Sequence, residues 1–244
     1  MLDHSVHGDP ANPPLALLHS GGMTRREWDP YLPGLGRDLR LVVPTALGHG
    51  SSPFAERFAI RAMGEAVLRL LDHLAIPRAH LLGSSMGGAT ALWIALHHPE
   101  RVEKLIVFRS SYRSSPSTRD AVAKMAEPET WQRWGLESFV RREHQPQGGP
   151  DAWREVTRKV VAMLHGPESD RNHTLEELAR MTQPTLLIAG DRDPVVPLEE
   201  VVAMYRTIQS AALWIAPNAT HFLGTDSWRR DAFESEVLRF LRRT

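Results

Sequence analysis

The chain has 244 residues, 42% of them hydrophobic, with Lys plus Arg and Asp plus Glu balanced at 29 each and no cysteine. That is enough apolar chain for one full α/β core with a small insertion. Zero net charge excludes a field that would draw nucleic acid or an anionic membrane, and the lack of cysteine excludes a disulfide framework and thiolate metal sites. A neutral small molecule is the expected partner. Met1 to Pro14 is polar, without the charged-then-apolar layout of a signal peptide, and no stretch approaches the ~20 apolar residues of a membrane span, so a cytoplasmic location is expected.

Leu2 to His7 reads as a short edge strand closed by the turn signals Gly8-Asp9-Pro10 and Asn12-Pro13-Pro14. Leu15 to His19 is an apolar run of the kind a parallel sheet buries on both faces, followed by the loop Ser20-Gly21-Gly22-Met23-Thr24 and a helix-like stretch bearing Trp28, Tyr31, Leu32 and Leu35. Leu39 to Pro44 is the next strand. The spacing Ile60, Met63, Val67, Leu70, Leu71, Leu74 predicts a helix that Pro77 stops. His80 to Leu82 is a strand, 86 to 98 a helix and Val102 to Phe108 another buried strand.

Between Ser110 and Met181 the alternation gives way to three or four polar, helix-period pieces broken by Pro116, Pro128, Gly148-Gly149-Pro150 and Gly166-Pro167. Trp153, Val156, Val160, Val161 and Leu164 form one apolar face there, and Trp131, Trp134, Phe139 and Val140 suggest another. Residues 112–180 are therefore expected to be a helical cap over the mouth of a site, inserted into a core made of 1–111 and 181–244. Alternation resumes with a strand at Pro184 to Ala189, a helix at Leu198 to Gln209, a strand at Ala212 to Ala216 and a last helix from Asp226 to Arg243. The pattern predicts an α/β fold whose mostly parallel central sheet, of about seven strands, is flanked by helices, with sites beyond the strands' carboxyl ends.

The stretch that organises the rest is Gly83-Ser84-Ser85-Met86-Gly87, between a strand and a helix. A turn this tight strains its central residue and brings the chain so close to its neighbours that the flanking positions must lack Cβ, leaving the Ser85 hydroxyl exposed above the sheet. The following helix begins at once, so its dipole and the Met86 amide favour negative charge on a substrate oxygen. A serine hydroxyl needs a base, and the base needs an orienting group. The loops after the two late strands supply both: Gly190-Asp191-Arg192-Asp193-Pro194 and Pro217-Asn218-Ala219-Thr220-His221. Of the 12 histidines none forms a His-Glu-x-x-His pair, so neither a metal nor a cofactor is expected.

His19-Ser20-Gly21-Gly22 with Trp28, the Gly48-His49-Gly50-Ser51 turn, Gly83-Ser84-Ser85-Met86-Gly87-Gly88, Gly190-Asp191-Arg192-Asp193 with Pro197, and His221 occur in one order over nearly the whole chain, and on these the sequence resembles the α/β-hydrolase fold superfamily. The resemblance implies Ser85 as nucleophile, His221 as general base and Asp193 as the orienting acid, with Asp191 the alternative. It implies an oxyanion hole from the amides of Gly21 and Met86, with Gly22 the competing neighbour, and a loop-ordering role for His19. Ser20, Thr45 and Thr220 depart from the family's usual glycine, aspartate and glycine.

Serine at the elbow argues against a haloalkane dehalogenase and leaves acyl chemistry. The leading expectation is a carboxylic-ester hydrolase acting on a small, largely apolar ester. The rival is a carbon-carbon bond hydrolase of a vinylogous diketone, supported by Ser85-Met86-Gly87-Gly88 and by Arg109, which either binds a substrate carboxylate or pairs with an acid of the cap. Enol-lactone hydrolysis uses the same residues, and a non-catalytic binding protein of the same fold is the alternative of another class. Trp131, Trp134, Phe139, Trp153 and Phe222 are the candidate substrate-binding residues, with at least two of the cap aromatics expected to pack the cap instead. Oligomeric state is not legible.

Overall fold

A computed structural model describes residues 1–165, 169–221 and 227–242. Seven short runs, rich in Leu, Ile and Val, form one sheet: β1 (His4–His7), β2 (Pro14–Leu18), β3 (Arg40–Pro44), β4 (Ala79–Ser84), β5 (Val102–Phe108), β6 (Thr185–Gly190) and β7 (Ala211–Ala216), in the order β1-β3-β2-β4-β5-β6-β7. Only β1 runs antiparallel to its neighbour; every other pair is parallel. The fold class is thus the expected one. Helices α1 (Leu32–Leu35), α2 (Ile60–His73), α3 (Met86–His97), α9 (Leu198–Thr207) and α10 (Ser227–Arg242) flank the sheet, and α4 (Pro116–Ala123), α5 (Pro128–Arg133), α6 (Glu137–Glu143), α7 (Ala152–His165) and α8 (Leu175–Leu178) lie between β5 and β6.

Strand periodicity sorts the core into two layers. Leu15, Leu17, Leu41, Val43, Leu82, Ile106, Phe108, Leu186 and Ile188 face Trp28, Leu35, Phe233 and Val237. The intervening Ala16, Leu18, Val42, Leu81, Leu105, Val107, Leu187 and Ala189 face α2, α3 and α9. Each fully buried Leu, Ile or Val is worth about 1.5–3 kcal/mol of transfer free energy. The chain runs from β2 out to β3 and then back past β2 to β4 on its other side, and this reversal opens a crevice at the strands' carboxyl ends.

Several helix boundaries differ from the sequence expectation. α2 ends at His73, before Pro77, because Ala75 turns left-handed at φ 55° and the amide of Ile76 closes on Leu71 O at 2.8 Å. Pro116 and Pro128, read as breaks, open α4 and α5, where a missing N–H costs nothing. The stretch between β5 and β6 packs on the sheet layers through Val122, Val160, Met163, Leu164 and Leu178, while Trp131, Val140 and Trp153 form a separate small core within it. At the start of α2, where Ala59 offers no side-chain cap, Asp170 accepts from the amides of Ile60 at 2.9 Å and Arg61 at 2.8 Å.

Candidate active site

β4 delivers the chain into the elbow and α3 carries it away. Ser85 between them has φ 52° and ψ −112°, a conformation costing a non-glycine residue about 1–3 kcal/mol. A Cβ on Gly83 would meet Gly87 O at 2.0 Å, and one on Gly87 would meet Leu18 O at 2.2 Å, so both positions are closed to any side chain. The Ser85 amide donates to Phe108 O at 2.9 Å, which ties the elbow to β5.

The loops after β6 and β7 converge on this point. His221 Nε2 lies 3.1 Å from Ser85 Oγ, and its Nδ1 lies 2.9 Å and 3.1 Å from the two Asp193 carboxylate oxygens. Asp193 also accepts from the amides of Val195 at 2.7 Å and Val196 at 3.0 Å. Burial pushes its carboxyl up, but the hydrogen bond and charge of His221 with the two amides outweigh that, so it sits below its ordinary value. Asp191 points elsewhere and accepts from the Ala219 amide at 3.2 Å, joining the two loops. Met86 opens α3, so its amide is a first-turn donor with no acceptor inside the helix. Gly21 sits beside it, a Cβ there falling 3.6 Å from Met86 Cβ. The Gly21 amide donates to no group among the described residues, whereas that of Gly22 donates to His49 Nε2 at 3.3 Å.

Arg109 lies behind the elbow, at φ 44° just past β5, and is buried. Its Nε donates to Ser84 Oγ at 2.7 Å, one Nη to Ser20 Oγ at 3.1 Å and to the Glu27 carboxylate, and the other to the His221 carbonyl. Glu27 in turn accepts from the Ser20 amide at 2.6 Å and hydroxyl at 2.8 Å. Among the described residues Arg109 therefore pairs with an acid in the turn before α1, and neither with an acid of residues 112–180 nor with the cavity, the two partners the sequence leaves open. The hydroxyls of Ser84 and of Ser20, which stands where the family usually has glycine, are members of this network. Thr45, which stands where the family usually has aspartate, donates from Oγ1 to Asp3 Oδ2 at 3.0 Å.

In front of the elbow is a cavity of about 330 Å³ bounded by Ser85, His221, Gly21, Met23, Met125, Trp131, Trp134 and Val195, among others. Among the described residues its lining holds no Asp, Glu, Lys or Arg. Of the candidate substrate contacts, Trp131 and Trp134 line it. Phe139 and Trp153 do not: they pack around Val140 and the back of Trp131, where the helices between β5 and β6 meet. Phe222 lies outside the described residues. Met23 and Met125 escaped sequence reading because a lone methionine carries no periodic signal. Among the described residues no group of three or more His, Cys, Asp or Glu is placed to hold a metal, and no helix is long and apolar enough to cross a membrane.

The chain is similar to known proteins over most of its length. The chain is 28% identical over 231 residues to 3-oxoadipate enol-lactonase 1 of Acinetobacter baylyi, covering 85% of this chain and 82% of that protein. It is 30% identical over 241 residues to a Pseudomonas savastanoi pv. phaseolicola relative provisionally named carbamate hydrolase RutD, covering 89% and 91%. The solved 2-hydroxy-6-oxo-6-phenylhexa-2,4-dienoate hydrolase (BphD) of Rhodococcus sp. strain RHA1 superposes with a TM-score of 0.83 at 25% identity, covering 98% of this chain and 94% of that one. Residues 154–244 match the family described as TAP-like protein, and residues 13–156, more than half of the chain, match that described as alpha/beta hydrolase fold. On this match and on the seven-stranded sheet, the chain belongs to the alpha/beta hydrolase fold family.

Proposed function

We propose that the chain is a serine hydrolase that cleaves small, uncharged, largely apolar carboxylic esters, with residues 112–180 as the cap over its site. The observation that carries this reading is the line Asp193–His221–Ser85, with contacts of 2.9 Å and 3.1 Å, opening on a cavity lined without charged side chains among the described residues. Ser85 Oγ attacks the ester carbonyl carbon while its proton passes to His221 Nε2. Asp193 holds Nδ1–H and stabilises the imidazolium. The oxygen that becomes negative takes the amides of Gly21 and Met86. As the tetrahedral species collapses, the alcohol leaves with the proton from Nε2, and the acyl group stays on Ser85. Water then attacks the acyl carbon, His221 takes its proton, and the carboxylic acid departs as Ser85 Oγ is reprotonated.

The named substrates of two relatives, an oxoadipate enol-lactone and a dienoate, carry carboxylates. Arg109, which such a carboxylate would need to reach, is turned into the protein and engaged by Glu27. This favours an uncharged ester over enol-lactone or carbon-carbon cleavage. The test is a rate profile over p-nitrophenyl esters of increasing acyl length, run beside Ser85→Ala and beside a ring-fission dienoate. The short esters should turn over, and Ser85→Ala should lower kcat about 10⁴-fold or more. Activity surviving in Ser85→Ala would make Ser85 the wrong nucleophile. A protein that ignores every ester and cleaves the dienoate belongs to the carbon-carbon reading, and one that turns over nothing and resists organophosphonate labelling is a binding protein.

A further inference from the structure

The turn that presents the Gly21 amide is held from outside the core. Past β2 the chain reverses through Ser20, Gly21 and Gly22, with Gly22 at φ 74° and the Met23 amide closing on Ser20 O at 3.1 Å. His19 donates from Nδ1 to Ser20 O at 2.8 Å and accepts the Ala46 amide at Nε2, also at 2.8 Å. His49 donates from Nδ1 to Leu47 O at 3.2 Å and accepts the Gly22 amide at 3.3 Å. His144, the residue after α6, donates from Nε2 to Gly22 O at 2.8 Å and accepts the Gly50 amide at Nδ1 at 3.0 Å. The His49 ring stands edge-on to His19 at 5.3 Å and to His144 at 5.6 Å.

Each ring meets one carbonyl and one amide, so each is confined to a single neutral tautomer. Burial agrees with this: it lowers all three, His144 to about 4. A peptide group is planar with its C=O and N–H on opposite sides, so a bond to Ser20 O sets the direction of Gly21 N–H, and bonds to both ends of Gly22 set the peptide groups that follow. Little slack remains, because a Cβ on Gly21 would meet Val160 Cγ1 at 2.5 Å and one on Gly22 would meet Trp131 Cη2 at 2.5 Å. His19 and His49 belong to the loops after β2 and β3. His144 reaches the turn from the helices between β5 and β6.

We propose that His144 is a positioning residue for the oxyanion hole: by tying Gly22 C=O to Gly50 N–H it keeps the Gly21 amide aimed at the carbonyl attacked by Ser85. The inference rests on the serine-hydrolase reading above and makes the helical insertion a working part of the hole. Neighbouring contacts keep the insertion docked without it: Thr24 Oγ1 donates to Glu143 at 3.2 Å, and Gln147 Nε2 donates to Gly50 O at 2.7 Å and Ser52 O at 2.8 Å.

The test compares His144→Ala and His144→Gln with wild type and Ser85→Ala on p-nitrophenyl acetate, with thermal unfolding in parallel. Glutamine keeps an N–H within reach of Gly22 O. In His144→Ala, kcat should fall about 10 to 100-fold, part of the 100 to 1000-fold worth of a whole oxyanion donor, because the interaction acts in the transition state. KM should stay within about twofold, and His144→Gln should recover most of the rate. An unchanged kcat, a loss confined to KM, or a glutamine variant no better than alanine overturns the proposal. Should His144→Ala not fold, His144→Gln decides: kcat within about fivefold of wild type supports it and a larger loss overturns it. An inactive Ser85→Ala beside an unimpaired His144→Ala sinks this inference alone. A fully active Ser85→Ala sinks the nucleophile, and the inference with it.

Discussion

The sheet and the helices inserted between β5 and β6 are held by different chemistry. Strands of the sheet lock together through parallel pairing and two continuous apolar layers, with Leu17 opposite Leu82 and Val107 opposite Leu187 in the ladder. The insertion shares some of that apolar surface but is located by polar ties at separate points. Asp170 sits on the start of α2, Glu143, His144 and Gln147 hold the loops after β2 and β3, and Arg113 pairs with Glu200 at 3.1 Å. Apolar layers tolerate sliding as long as volume is kept, whereas a hydrogen bond to a named backbone atom does not. The insertion is therefore registered by a handful of polar side chains, and the sheet, the floor beneath Ser85, by mass packing.

Arg109→Met should break the floor hardest. It leaves the Glu27 carboxylate, with its side chain 11% exposed, without its cation, at a cost of about 3–5 kcal/mol read from the urea midpoint. Adding Glu27→Gln should recover much of that loss; an Arg109→Met protein as stable as wild type would mean the pair contributes nothing. Acid should loosen the insertion and the loops after β2 and β3 before the strands. Burial lowers His144, His165 and His173 of the insertion to about 4, lowers His19 and His49 of the loops after β2 and β3, and in the strands lowers His80, also to about 4. The unfolded chain protonates these groups near their ordinary 6.5, so between 6.5 and about 4 it binds more protons than the folded one. Stability falls as pH drops through that window, by up to about 1 kcal/mol per pH unit for each buried ring. Hydrogen exchange should therefore quicken in α6 and α7 before it does in β4 and β5; simultaneous loss would erase the distinction.

Asp170→Ala removes the cap on α2 and should cost about 1 kcal/mol in thermal unfolding, with faster exchange at the Ile60 and Arg61 amides. The smallest effect belongs to Ala75→Gly. At φ 55° glycine relieves the strain of the alanine Cβ, and a gain of about 0.5–1 kcal/mol in stability is expected, confined to the floor.

Much of the floor was legible in the sequence because burial on both faces leaves an apolar run, as at Leu105 to Phe108 in β5, whose expected and observed bounds, Val102–Phe108, coincide. The elbow was legible because its glycines and serine answer to local sterics. What stayed hidden was the identity of long-range polar partners. Arg109 finds Glu27 across 82 residues and His144 finds Gly22 across 122, and nothing in local spacing marks either pairing. Trp131 and Trp153 look alike in sequence, yet only the former reaches the cavity, because the choice depends on how α5 and α7 lie against each other.

Trp134 is 38% exposed at the rim of the cavity, its ring 5.4 Å from that of Trp131 and nearly perpendicular to it. An indole so placed is a built-in optical gauge. A guest entering beside Ser85 displaces water from both rings and shifts their emission, so occupancy can be titrated by intrinsic fluorescence with uncleavable amide analogues, before any bond is broken.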